Sequence, residues 1–332
     1  MEARVPFIFD YLKKFQQRSL RPDAWREIGK WRNWSFDAMF YDIGCVPPEL
    51  WSQLTSHKTP EGSIVLLKRV PGMAGTEART FQLLHYGKID DVKMEGITAL
   101  AIAGVGSSAL GTVALAIDVA DALGGEVTVA GIVTGEGRKD VAEEGMGGWY
   151  VLREANLIRQ AMENWLDTTK IWLDRAMGIP ARLVDQLFNV HITDTDLKLP
   201  ESTDIIRFLE NAKDLKLVVA HSKGGFYLAN ALSLLADEAR KSDGGKKRLE
   251  ALLDGKSIVT LGAVIYPPTE FYRCMHQFIG ELDAFGMMNS RERVERTVIP
   301  GVMHHLNTAL PMHMSCNKVL RSHFPELISL VA

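Results

Sequence analysis

Cysteine is scarce in this chain of 332 residues: Cys45, Cys274 and Cys316 are too few and too scattered for a disulfide framework, and none has the paired spacing of a zinc site. A reducing compartment is therefore expected. Charge of one sign is lacking too. The net charge of −3 gives no footprint for a nucleic-acid partner, and the dense basic run Lys246 to Arg248, after Asp243-Gly244-Gly245, reads as a solvated loop. Met1 to Ser19 alternates charged and apolar residues instead of setting a basic stretch before an apolar core, so no signal peptide is visible. A cytoplasmic location is expected, with export by another route left open. There is no internal repeat and no low-complexity tract.

Long uncharged runs are also few. Ile97 to Ile117 is long enough to span a bilayer, but Gly104, Gly106, Ser107, Ser108 and Gly111 interrupt it. Its first half is strand-like, and its second half has helical spacing, with Leu110, Val113, Ala114, Ile117 and Asp121 on one stripe. A buried strand, a glycine turn and a packed helix are preferred to a membrane span.

What is present is an ordinary globular balance, 46% apolar and 24% charged, which argues against a largely disordered chain and for one decorated α/β domain over 1–332. Residues 1–58 read as a helical extension without obvious chemistry. Strands Ser63 to Val70 and Thr80 to Tyr86 form an antiparallel hairpin. The unalternating runs Ile97 to Ala103 and Val127 to Val133 then suit a parallel sheet buried on both faces. Helices over 107–122, 150–166, 203–212 and 225–239 alternate with strands Leu215 to Ala220, Ile258 to Ile265, Met275 to Ile279 and Arg296 to Ile299. The amphipathic stretch 167–200 reads as an insertion, either a lid or part of the core.

The segment from Leu215 to Gly225 runs from an apolar strand through Ala220-His221-Ser222-Lys223-Gly224 into a helix, the pattern of a nucleophile elbow. Small residues at 220 and 224 are expected because larger side chains there would collide across the tight turn. The serine hydroxyl would emerge at the sheet's end, with the Lys223 amide aimed at a developing oxyanion. In this order of elements an acid and then a histidine follow the nucleophile. Asp283, just past an apolar strand, is the favoured acid, with Glu281 as its rival. His304, after Pro300-Gly301, is the favoured base, with His305 as the alternative, whereas His221 would point into the scaffold. The turn Gly104-Val105-Gly106-Ser107 can offer the Val105 amide as second oxyanion donor. No carboxylate or cysteine sits at helical spacing with His304, His305 and His313, so no metal is expected.

Over residues 95–310 these stretches resemble the α/β-hydrolase superfamily, particularly its lipase class 3-like members. The resemblance rests on Ala103-Gly104-Val105-Gly106-Ser107-Ser108, on Gly147-Gly148-Trp149-Tyr150 before a helix, and on His221-Ser222-Lys223-Gly224-Gly225. It implies a mostly parallel central sheet with helices on both faces, a Ser222-His304-Asp283 triad, an acyl-enzyme intermediate and no cofactor. The implied substrate is a small-molecule ester or a lipid, with membrane contact but no span. Ala220 stands where such enzymes usually have glycine, and Val105 where these lipases usually have threonine or serine, so only a backbone donor remains at 105. Two other readings stay open: a catalytically silent hydrolase-like binding protein, and a membrane-associated phospholipase.

Overall fold

The computed structural model describes residues 37–56, 62–72, 79–104, 107–134, 199–289 and 294–329. Eight strands form one sheet: β1 Ile64–Pro71, β2 Arg79–Gly87, β3 Ile97–Ile102, β4 Val127–Ile132, β5 Leu217–His221, β6 Ser257–Leu261, β7 Met275–Gly280 and β8 Thr297–Ile299. Their order is β2-β1-β4-β3-β5-β6-β7-β8. Neighbours from β4 to β8 run parallel, and β1 is antiparallel to both β2 and β4. The fold class is thus α/β, with a mostly parallel sheet and an antiparallel pair at one edge.

The central strands are apolar without alternation because both their faces are covered. Ala99, Ala101, Val129 and Val219 join one core with helices α1 (Pro48–Ser56), α2 (Ala109–Leu123) and, at the far end of the chain, Val319 and Leu320. Leu100, Ile102, Ala130 and Val218 face the other core, built with α3 (Pro200–Asn211), α4 (Lys223–Lys241) and α5 (Gly245–Leu253). Shorter helices include α6 (Ala284–Asn289), α7 (Cys316–His323) and α8 (Pro325–Ser329), and residues 37–40 form a further helical turn.

As expected, the run Ile97 to Ile117 is split between the strand β3 and the helix α2, and no described helix is long and apolar enough to cross a membrane. Other sequence expectations are corrected. Helix α2 has no exposed polar face to match an amphipathic stripe, since every residue in it except Asp118 is buried. It presses so closely on the sheet that a Cβ at Gly131 of β4 would lie 2.7 Å from both Thr112 and Val65 side chains. Lys246 to Arg248 are exposed as expected, but on α5 and not on a loop. Strand β6 stops at Leu261, four residues before the expected end, because Gly262 turns the chain at φ +65°. Residues 1–36 of the expected N-terminal extension, the Gly147-Gly148-Trp149-Tyr150 stretch, the helix over 150–166 and the insertion lie outside the described residues, except that Leu199 and Pro200 open α3.

Candidate active site

In the sheet order the chain moves from β3 outward to β4 and then back across β3 to β5, so the connections after β3 and β5 leave in opposite directions. A crevice at the C-terminal strand ends is expected at such a switch point. Gly104 and Ser222 meet there: a Cβ on Gly104 would lie 3.0 Å from the Ser222 Cβ.

Ser222 is forced into a sparsely populated conformation, φ 51° and ψ −123°, at a cost of roughly 1–3 kcal/mol. Its amide donates to the Leu261 carbonyl at 3.0 Å, and its carbonyl accepts from the Gly225 amide at 2.9 Å. The need for glycine at 224 has a cause beyond the expected clash with residue 220. A Cβ there would sit 2.5 Å from the carbonyl oxygens of Ile102 and Ala103, so the first turn of α4 packs directly on the end of β3. Lys223 opens α4, its side chain lies over the Tyr227 ring, and its amide belongs to the positive end of the helix dipole.

His304, beyond β8, places Nε2 2.9 Å from Ser222 Oγ, while Nδ1 is 2.9 Å from each Asp283 oxygen. An ionised carboxylate only accepts, so Nδ1 carries the proton and Nε2 is free to accept from the serine hydroxyl. Asp283, just past β7, is fully buried and also caps α6 by accepting from the Gly286 amide at 2.6 Å. Glycines make room for this pair. A Cβ on Gly262 would fall 2.9 Å from His304 Nδ1, and one on Gly286 would fall 2.5 Å from an Asp283 oxygen. Ser222 itself is partly exposed.

The rival residues lie elsewhere. The His305 Nε2 is bonded to the Pro311 carbonyl at 3.1 Å, and exposed Glu281 accepts from the Gly301 amide at 2.9 Å. His313 bonds the Leu310 carbonyl. Val105 lies outside the described residues, although Gly104 and Ser107 beside it are well fixed: the Gly104 carbonyl accepts from the Thr134 hydroxyl at 2.6 Å and from the Ser107 amide at 3.4 Å. Among the described residues no group of three or more His, Cys, Asp and Glu side chains is arranged to hold a metal ion.

Sequence reasoning missed the contribution of the N-terminal segment. Asp37 is buried at the start of α2, where it accepts from the Ser108 amide at 3.1 Å and from the Ser108 hydroxyl. Phe40 stacks edge-on against His304, its carbonyl accepts from the Leu306 amide at 2.8 Å, and the Ala38 carbonyl accepts from the Asn307 side chain at 2.6 Å. An acidic and an aromatic residue one helical turn apart was the only signal, and a surface helix would carry the same spacing.

His221 is buried with both ring nitrogens bonded, Nε2 to the His304 carbonyl at 3.0 Å and Nδ1 to the Tyr41 hydroxyl at 2.8 Å. Burial, reinforced by His304, pushes its pKa down to about 3. The unfolded chain takes up this proton near pH 6.5 and the folded chain only near 3, so stability is present above pH 6.5 and lost on acidification through that window. Asp37, raised to about 7 by burial, acts in the opposite sense, contributing stability that fades as pH rises from 3.8 to 7. The expected result is therefore a difference between proteins. Between pH 7 and 4, wild type should lose on the order of a few kcal/mol more than His221→Gln, read from urea midpoints. Equal losses would contradict a buried neutral imidazole.

No family model, curated protein or solved structure matches the chain.

Proposed function

We propose that this protein is a serine hydrolase of the α/β-hydrolase type, cleaving carboxylic esters through an acyl-enzyme. The observation that carries the reading is the unbroken line from Ser222 Oγ through the His304 ring to the buried Asp283 carboxylate, with each link at 2.9 Å. The strained backbone at Ser222 supports it, because a serine serving only as a helix cap needs no such conformation.

In the proposed reaction Ser222 Oγ bonds to the ester carbonyl carbon while His304 Nε2 takes its proton, and the carbonyl electron pair moves onto oxygen. The Lys223 amide and the Val105 amide donate to that oxyanion. Collapse expels the alkoxide, which leaves as the alcohol with the proton from His304. Water, deprotonated by His304, then attacks the acyl carbon and releases the acid and free Ser222. Asp283 holds the imidazole tautomer throughout and stabilises the imidazolium; no step uses a cofactor.

A chain-length series of p-nitrophenyl esters tests the reading. Hydrolysis with a preferred acyl length is expected, and no turnover across the series by folded protein would reject it.

A further inference from the structure

Behind Ser222 runs a second line of hydrogen bonds in which none of the proposed reacting groups takes part except through the His304 backbone. The Gly104 amide donates to the Tyr41 hydroxyl at 2.6 Å, and Tyr41 in turn contacts His221 Nδ1. The far nitrogen of His221 meets the His304 carbonyl. That carbonyl can only accept, so Nε2 of His221 carries the proton, Nδ1 is a lone pair, and Tyr41 must donate to it. The Gly104 N–H then donates to a lone pair of the Tyr41 oxygen. One polarity satisfies every member, and both side chains are almost wholly buried. Burial raises the Tyr41 pKa and lowers that of His221, so both stay neutral and the polarity is fixed.

We propose that Tyr41 and His221 are positioning residues that hold three separate loops in register for acyl transfer: the turn after β3, the elbow after β5 and the base-bearing loop after β8. This rests on the serine-hydrolase reading. Tyr41 reaches Gly104 on one side, while Asp37, whose carbonyl accepts from the Tyr41 amide at 2.7 Å, grips Ser108 on the other. The segment carrying them thus fastens both flanks of residues 105 and 106. His221 adjoins Ser222 in sequence and fixes the main chain of His304, so a shift of the tyrosine moves donor turn, nucleophile and base relative to one another. Ring contact alone does not explain the arrangement: the Tyr41 and His221 rings meet edge-on with centroids 5.3 Å apart, and phenylalanine would preserve that contact.

The test compares wild type, Tyr41→Phe, His221→Gln and His221→Asn in ester hydrolysis and in the rate of inactivation by a fluorophosphonate. Tyr41→Phe keeps the ring and loses only the hydroxyl. A fall in kcat of about 10- to 100-fold with KM within about twofold is expected, and a parallel fall in inactivation rate, because sub-ångström misalignment acts on the reacting geometry rather than on substrate binding. His221→Gln can still donate from the position of Nε2, whereas His221→Asn reaches only the Nδ1 side, so glutamine should retain at least about tenfold more activity than asparagine. The glutamine and asparagine pair decides the matter even if Tyr41→Phe fails to fold. Wild type reacting with the probe while Tyr41→Phe keeps its full rate, or equal losses in the two His221 variants, overturns the positioning role and leaves the hydrolase reading standing. A folded wild type inert to the probe overturns both.

Discussion

Replacing Ser222 by alanine is expected to leave a folded protein whose ester turnover falls by about four to six orders of magnitude. In the proposed mechanism the size of the loss follows from the triad acting as a unit: without the hydroxyl, His304 would have no nucleophile to activate, and only substrate binding and the oxyanion donors would continue to accelerate attack by water. Folding should survive because the hydroxyl makes no helix-cap bond and its contact is with His304 at the partly exposed surface of the site. Alanine also tolerates the strained φ of 51° no worse than serine does. Turnover within tenfold of wild type, with an unchanged circular dichroism spectrum, would remove Ser222 from the reaction.

The second large effect separates two adjacent histidines. His304→Ala should lower kcat by at least about 10³-fold, whereas His305→Ala should stay within a few-fold of wild type. His305 is bonded to the Pro311 carbonyl, burial lowers its pKa, and among the described residues it has no carboxylate partner. The two variants also differ in stability. Removing the His304 ring takes a hydrogen bond from a fully buried Asp283 carboxylate and leaves it the Gly286 amide, a loss of roughly 1–3 kcal/mol. Parallel kcat and urea-midpoint measurements on both variants check this. An inactive His305→Ala beside an active His304→Ala would transfer the role.

The parts of this site that could be read in the sequence are those encoded locally. Leu217 to Gly225 shows strand, serine and helix within a few residues, and Asp283 follows β7 as His304 follows β8 in the same short-range way. The alternation of strands and helices likewise gave the α/β class. What escaped depends on contacts between distant segments. That β1 inserts between β2 and β4 is a matter of non-local pairing, since a hairpin looks the same in sequence wherever it docks. Helix α2 was legible as a packed helix, but not that it is buried on every side, because an all-round buried helix lacks the polar face that periodicity seeks. The glycine requirement at 224 was recognised only in part, because its nearest neighbours are the Ile102 and Ala103 carbonyls at the end of β3, more than a hundred residues earlier. Tyr41 was invisible for the same cause: its hydroxyl partners, Gly104 and His221, lie 63 and 180 residues away.

The central claim is that Ser222 is an activated nucleophile, and covalent labelling addresses it most directly. After treatment of the folded wild-type protein with a fluorophosphonate, peptide mass spectrometry should find the phosphonyl adduct on Ser222, absent from Ser222→Ala and formed far more slowly in His304→Ala. Folded wild type that stays unlabelled, or an adduct on a different residue, would contradict the account.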